Sequence, residues 1–283
     1  MARRPRRQSE SDIHHVMNRG VDRQPVFMCD RDRLDFGNGL DAIHRRFGVE
    51  TLAYCLMGNH YHLLLRAPDD VLARAMHHLG TSFTARANLR NGRDGPLFRG
   101  RYHSIPVDTD PYLTWVARYI HRNPLAVPSV THPASYRWSS YRTYVGLRPA
   151  PPFLATALVL EMFHNDRMAL AEFTESEDAD VFGAEPSVAD IMQLIEFEIR
   201  RDELRHGDQP TSSAWLGRSI MVLLADAARH HRVAHVIDSH LDHPNDHARR
   251  KATARAHARY ESDPSVRRIL EALLHRLDVS RAA

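Results

Sequence analysis

Two histidines one residue apart, His60-Tyr61-His62, sit inside the apolar run Tyr54-Cys55-Leu56-Met57-Gly58-Asn59-His60-Tyr61-His62-Leu63-Leu64-Leu65. The flanks favour β structure, and the Gly58-Asn59 pair between them predicts a hairpin or tight turn joining two strands. Side chains alternate faces along a strand, so His60 and His62 point one way and Tyr61 the other. Two imidazoles on one face of a rigid strand can hold a divalent metal, but they need a further ligand from elsewhere. In a chain with 20 histidines a lone His-X-His pair also arises by chance, so the partner decides the matter.

A partner is found in Asp110-Pro111-Tyr112-Leu113-Thr114-Trp115-Val116-Ala117-Arg118-Tyr119-Ile120-His121-Arg122-Asn123-Pro124. Asp110 reads as an N-cap with Pro111 at the first helical position. Leu113, Val116, Ala117 and Ile120 follow the i, i+3, i+4, i+7 spacing of a buried face. Pro124 ends the helix at or before Asn123. Tyr119 and Asn123, four apart, share one flank of that helix. On an arbitrary helix they would be a half-buried aromatic and a terminal residue; beside a histidine pair they become a nucleophile and an amide ligand.

Around these segments the pattern predicts strand, helix, strand, strand, helix, strand, helix. The strands fall near 14–19, 49–57, 61–66 and 97–106. One helix covers about 31–47, and a second opens after Asp69 and Asp70 with Leu72, Met76, Leu79 and Phe83 on one face. This βαββαβ order predicts an α+β, ferredoxin-like antiparallel sheet with helices on one face. A central strand then presents the histidines, and the helix after the last strand lays Tyr119 against them.

Met57-Gly58-Asn59-His60-Tyr61-His62-Leu63-Leu64-Leu65 and Arg118-Tyr119-Ile120-His121-Arg122-Asn123-Pro124 resemble the two signatures of the single-tyrosine HUH transposases, specifically the REP-associated tyrosine transposases. Other pieces fall in family order: His15-Val16-Met17-Asn18-Arg19-Gly20, Leu97-Phe98-Arg99-Gly100-Arg101-Tyr102, and Trp138-Ser139-Ser140-Tyr141-Arg142. The resemblance spans about residues 12–146. It implies that His60 and His62 bind metal, that Tyr119 is the nucleophile and that Asn123 is a further metal ligand. It implies as substrate single-stranded DNA folded as a hairpin, of the repeated extragenic palindrome kind, cut near the hairpin foot.

The chemistry of the residues agrees. A phenol with its ordinary pKa of ~10 is protonated at neutral pH and needs help to attack. A divalent cation can neutralise phosphate oxygens and stabilise the departing sugar oxygen. Histidine plus amide oxygen suits Mg2+ or Mn2+, whereas a closed zinc site would want more nitrogen or sulfur. Attack by tyrosine gives a 5′-phosphotyrosine and a free 3′-hydroxyl, and the link conserves the energy needed to rejoin the strand.

The net charge of +3 hides a segregation. Residues 1–148 hold 22 basic against 13 acidic side chains, 149–217 hold 4 against 14, and 218–283 hold 12 against 8. The two basic ends are candidates for nucleic acid and the acidic middle is not. Only Lys251 among the 38 basic residues is a lysine; arginine suits phosphate and base edges, although a GC-rich coding sequence gives the same bias. In the first domain Asn18, Arg19, Arg99, Arg101 and Tyr102 are candidate DNA contacts, with Arg99 and Arg101 projecting from one strand face.

Three regions follow: a nuclease domain at 1–146, a Pro-rich to acidic connector at 147–185 with one short helix, and an all-α domain at 186–283. The last reads as helix-turn-helix, with a helix over 232–241, a turn at 242–245 and a helix over 246–260. Ala248, Ala252 and Ala256 face its core and Arg249, Arg250, Arg255 and Arg259 face outward, the pattern of a recognition helix. This part weakly resembles the DNA-binding domain of the replication initiator DnaA. Arg249, Arg250 and Arg255 are its candidate DNA contacts.

No apolar run approaches the ~20 residues that span a bilayer, and the first residues lack the apolar segment of a signal peptide. With Cys29 and Cys55 the only cysteines, the expected setting is a reducing cytoplasm. The alternative to a transposase-type enzyme is a domesticated DNA-binding regulator of the same fold. A relaxase or replication initiator would often carry paired tyrosines, and an unrelated metal hydrolase would need a carboxylate beside the histidines.

Overall fold

The computed structural model describes residues 9–176, 188–206, 213–227, 237, 241 and 246–277. The chain divides into two units, Met1–Ala179 and Asp180–Ala283.

The first unit is built on four strands, β1 (Ile13–Arg19), β2 (Glu50–Leu56), β3 (His60–Arg66) and β4 (His103–Pro106). They pair in the order β2-β3-β1-β4, every pair antiparallel. Helices α1 (Asp30–Phe47) and α2 (Asp69–Asn91) complete the βαββαβ order of a ferredoxin-like fold. The α1–α2 side of the sheet presents Val16, Tyr54, Leu56, Tyr61, Leu63 and Leu65, which form one core with Phe36, Leu40, Leu72, Met76, Leu79 and Phe83. The helices approach closely where Gly39 faces Leu79: a Cβ at Gly39 would lie 2.5 Å from the leucine Cδ1. Arg90 near the end of α2 ties them further by ion pairs to Asp32 and Asp35 of α1.

The opposite face of the sheet is also covered. Helix α3 (Asp110–Arg122) packs there, so the two helices expected on one face are joined by a third on the other. Its buried set is wider than one stripe: Tyr112, Leu113, Trp115, Val116, Ala117, Ile120 and His121. The helix is capped by Thr109, whose side chain accepts from the Tyr112 amide, and Asp110 lies inside the first turn rather than at the cap.

Helix α4 (Tyr141–Tyr144) follows, then α5 (Ala157–Glu161) and α6 (Arg167–Glu175). The stretch expected to begin a connector at residue 147 thus continues as folded structure. Arg118 donates to the carbonyls of Phe173 and Ser176, and Arg122 to those of Thr174 and Glu175 at 2.9 Å each. Two guanidinium groups of α3 therefore grip the C-terminal carbonyls of α6, the helix end that attracts cations.

The second unit contains α7 (Val188–His206), α8 (Ser213–Ala227), α9 (Asp246–Ser262) and α10 (Pro264–Arg276). Ile191, Leu194, Ile195, Ile199, Ile220, Leu223 and Leu224 are buried as their spacing predicts, with Ala256, Val266, Leu270 and Leu273. Arg268 of α10 pairs with Asp202 of α7 through two hydrogen bonds of 2.7 and 2.9 Å. The helix expected over 232–241 and the turn at 242–245 lie almost wholly outside the described residues. No helix among the described residues is long and apolar enough to cross a membrane.

Candidate active site

The turn between β2 and β3 is pinned from three sides. The Gly58 carbonyl accepts from the amides of Val26 and Phe27, both at 3.0 Å, and the Asn59 carbonyl accepts from Gly20 N at 2.9 Å. Asn59 Nδ2 donates to the Arg23 carbonyl at 3.1 Å. Gly20 has to be glycine here, since a Cβ would sit 2.2 Å from the Gln24 carbonyl oxygen. His60, the first residue of β3, therefore starts from a fixed backbone.

His60 and His62 project to the α3 side of the sheet and Tyr61 to the α1–α2 core, as strand parity predicts. Burial raises the Tyr61 phenol well above its ordinary pKa, which suits a core residue and no acid–base role. The two imidazoles stand edge to face, with ring centroids 5.2 Å apart. Both His60 nitrogens face an amide oxygen, which can only accept, so the neutral ring donates to one of them; the proton is placed on Nδ1, whose contact with Asn59 Oδ1 is the shorter at 2.8 Å. In the neutral ring this leaves the lone pair on Nε2, and Nε2 lies 3.3 Å from Asn123 Oδ1 at the end of α3.

Tyr119, half-buried, is set one turn before Asn123. Its ring meets His62 edge on at 5.3 Å and lies stacked on Trp115 at 5.7 Å. The four residues singled out by the sequence, His60, His62, Tyr119 and Asn123, thus converge from β3 and α3 upon one place. The donor set fits a divalent cation: an imidazole lone pair and an amide oxygen, both acceptors, are turned toward each other, with a second imidazole beside them. Among the described residues no group of three or more His, Cys, Asp or Glu side chains is placed to hold a metal ion.

One participant is not apparent from the sequence. His15 of β1 is fully buried on the same face, with Nε2 3.1 Å from His62 Nδ1 and its ring stacked on that of His62 at 5.3 Å. Burial lowers its pKa to about 3, so the ring is neutral. A signal exists: His15, Met17 and Arg19 share a strand face, but only the β1–β3 register sets that face beside His62. Trp115, which backs the Tyr119 ring, likewise reads in the sequence only as part of the helix.

The expected DNA contacts separate. Asn18 is buried and engaged at both ends of its amide: Nδ2 donates to the Gly100 carbonyl at 3.1 Å and Oδ1 accepts from Arg19 N at 2.8 Å. It anchors the loop before β4. Arg19 lies opposite His60 in the sheet register. Arg99 and Arg101 are exposed, but β4 begins only at His103, so they stand on a loop instead of one strand face. The strand is shortened because Gly100 is held by Asn18 and the Arg99 amide by the Arg19 carbonyl at 2.9 Å. Tyr102 is partly buried against the core. In the second unit Arg250 and Arg255 are exposed on α9, while the side chain of Arg249 falls outside the described residues.

Known proteins offer a comparison for this arrangement. No curated protein matches the chain. A solved structure of a REP-associated tyrosine transposase bound to a REP hairpin is similar at 14% identity, with a TM-score of 0.44 over 55% of this chain and 92% of that one. The family model described as "Transposase IS200 like" matches residues 9–123, a segment that opens before β1 and closes on Asn123. His60, His62, Tyr119 and Asn123 all lie inside the matched segment, so the stretch of this chain that is similar to the IS200-like transposases contains the whole candidate site.

Proposed function

We propose that the protein binds, cleaves and rejoins single-stranded DNA folded as a hairpin, through a 5′-phosphotyrosine on Tyr119. The observation that carries this reading is the approach of Tyr119 and Asn123, one helical turn apart on α3, to His60 and His62 on β3. His60, His62 and Asn123 would hold Mg2+ or Mn2+, which when bound would draw charge from the scissile phosphate and from the leaving oxygen.

The Tyr119 oxygen attacks phosphorus and the bond to the upstream 3′ oxygen breaks. The phenol gives up its proton and the released 3′ oxygen gains one. The reverse attack by a 3′-hydroxyl restores the phosphodiester and frees the tyrosine. Trp115, stacked on Tyr119 at 5.7 Å, backs the ring and helps to hold the oxygen toward His62.

The substrate class follows from the motif resemblance and from the basic character of the first domain. Arg19, Arg99 and Arg101 are the contacts for the strand near the site. Arg250 and Arg255 of α9, with Arg249, would supply a second, sequence-tolerant contact. Two free cysteines are consistent with a cytoplasmic enzyme.

The test is a hairpin oligonucleotide with a single-stranded flank, incubated with Mg2+ or Mn2+ and resolved on a denaturing gel. Wild type should yield a covalent protein–DNA adduct and a free 3′-hydroxyl fragment. Tyr119→Phe should yield neither while binding the hairpin as before, since one hydroxyl is removed. An adduct with the Phe variant would mean that another residue attacks. Tight binding with no cleavage by wild type would identify a DNA-binding regulator of this fold.

A further inference from the structure

We propose that His15 is a positioning residue that sets which ring nitrogen His62 offers to a metal, an inference that rests on the metal-assisted reading of the site. β1 and β3 pair with Met17 opposite His62 and His15 opposite Leu64, so His15 is the diagonal neighbour of His62 on the same face. The two rings stack at 5.3 Å with 30° between their planes, and His15 Nε2 lies 3.1 Å from His62 Nδ1. Both residues are buried, at 0% and 4% exposure.

Two lone pairs facing each other at that distance repel unless a proton or a cation lies between them, and in this buried pair one nitrogen carries the proton. If His15 donates, His62 Nδ1 accepts and the His62 proton sits on Nε2, which then has no lone pair to offer. If His62 Nδ1 donates, His15 Nε2 accepts and His62 Nε2, on the far side of the ring, is ready to ligate. Only the second arrangement prepares His62 before a metal arrives. A neutral imidazole with no outer partner favours the Nε2–H form, so His15 works against that preference. His60 is prepared in the same way by a different device, its Nδ1 proton being taken by Asn59 Oδ1. Each histidine of the pair thus has its own acceptor: an amide for His60 and a buried imidazole for His62. Such outer partners orient ligating histidines and raise their basicity.

Two measurements on the full chain test the assignment. In wild type without metal, nitrogen–carbon correlation NMR of the His62 ring should report the Nδ1–H form. Mn2+ titration followed by electron paramagnetic resonance should show His15→Leu weakened by about tenfold to a hundredfold. His15→Gln, whose carbonyl can accept the same proton, should recover most of that loss. His60→Ala is the control and should lose binding outright.

An Nε2–H His62 in wild type would overturn the proposal, and so would Mn2+ affinity in His15→Leu equal to wild type or a Gln variant no better than Leu. Should the Leu variant not fold, the wild-type tautomer and the Gln variant still decide. If wild type binds no Mn2+ at all, the metal reading of the site fails instead, a result distinct from wild type and His15→Leu binding alike.

Discussion

His60 Nε2 lies 3.3 Å from the side-chain oxygen of Asn123, although 63 positions separate the two residues in the chain. Neither group can donate to the other while His60 gives its Nδ1 proton to Asn59. A cation between the two acceptors would relieve their repulsion and tie the sheet to the last residue of the matched family segment.

Asn123→Ala removes the oxygen and keeps the helix end. Metal-dependent cleavage should fall by roughly 100-fold, with His60→Ala and His62→Ala at least as severe, and excess chelator should match them in wild type. Asn123→Asp keeps an oxygen at the same place and should retain more activity than Ala, with a lower metal concentration at half-maximal rate. Full cleavage in chelator would remove the metal from the mechanism.

Acid should weaken the fold through two histidines. Burial holds His15 and His121 at about 3 in the folded chain. The unfolded chain binds protons at ~6.5, so their contribution to stability is complete above that pH and is lost progressively as pH falls toward 3. Each group adds a slope of up to ~1.4 kcal/mol per pH unit. Urea midpoints should decline from pH ~7.5 to ~4.5, and His121→Gln, which can keep a bond to Ser140, should flatten that decline. An equally steep decline in the Gln variant would assign the proton uptake to other groups.

Arg90→Leu should destabilise the first unit by about 3–5 kcal/mol, because Asp32, fully buried, loses the cation that compensates it. The amides of Met28 and Cys29 would still bond Asp32, at 2.8 and 3.1 Å. Calorimetry or urea unfolding would read the change. A loss under about 1 kcal/mol would mean that these two amides suffice, as at an ordinary surface pair.

The arginines of α9, of which Arg250 and Arg255 are exposed, can be tested without removing the domain. Reversing Arg249, Arg250 and Arg255 to Glu should weaken hairpin binding and lower the slope of log affinity against log salt by about 0.7–0.9 for each phosphate no longer neutralised. Cleavage at saturating DNA should persist, since the site residues are all in the first unit. An unchanged slope would mean the helix serves a different partner or the fold itself.

Much of this is legible in the sequence because strand and helix periods report faces directly. His60 and His62 against Tyr61, and Leu72, Met76, Leu79 and Phe83 on α2, fall where parity and heptad-like spacing put them. What periodicity cannot report is which strands become neighbours. His15 is invisible as a site residue for that reason, since its contact with His62 depends on the register of β1 with β3. The Arg99–Tyr102 stretch reads as strand in the sequence because its alternation is real, while the loop is set by hydrogen bonds from Asn18 and to Arg19 that no local pattern encodes. Thr109 takes the cap from Asp110 because both are good caps, and the backbone chooses the one a residue earlier.

The grip of Arg118 and Arg122 on the end of α6 bears on how this protein should be cut. A truncation drawn at residue 123, where the family match ends, or at 146, where the motifs end, would strip both guanidinium groups of their carbonyl partners on the helix that carries Tyr119. The smallest piece that keeps α3 with all these partners runs through Ser176, and trimmed versions should be compared from there.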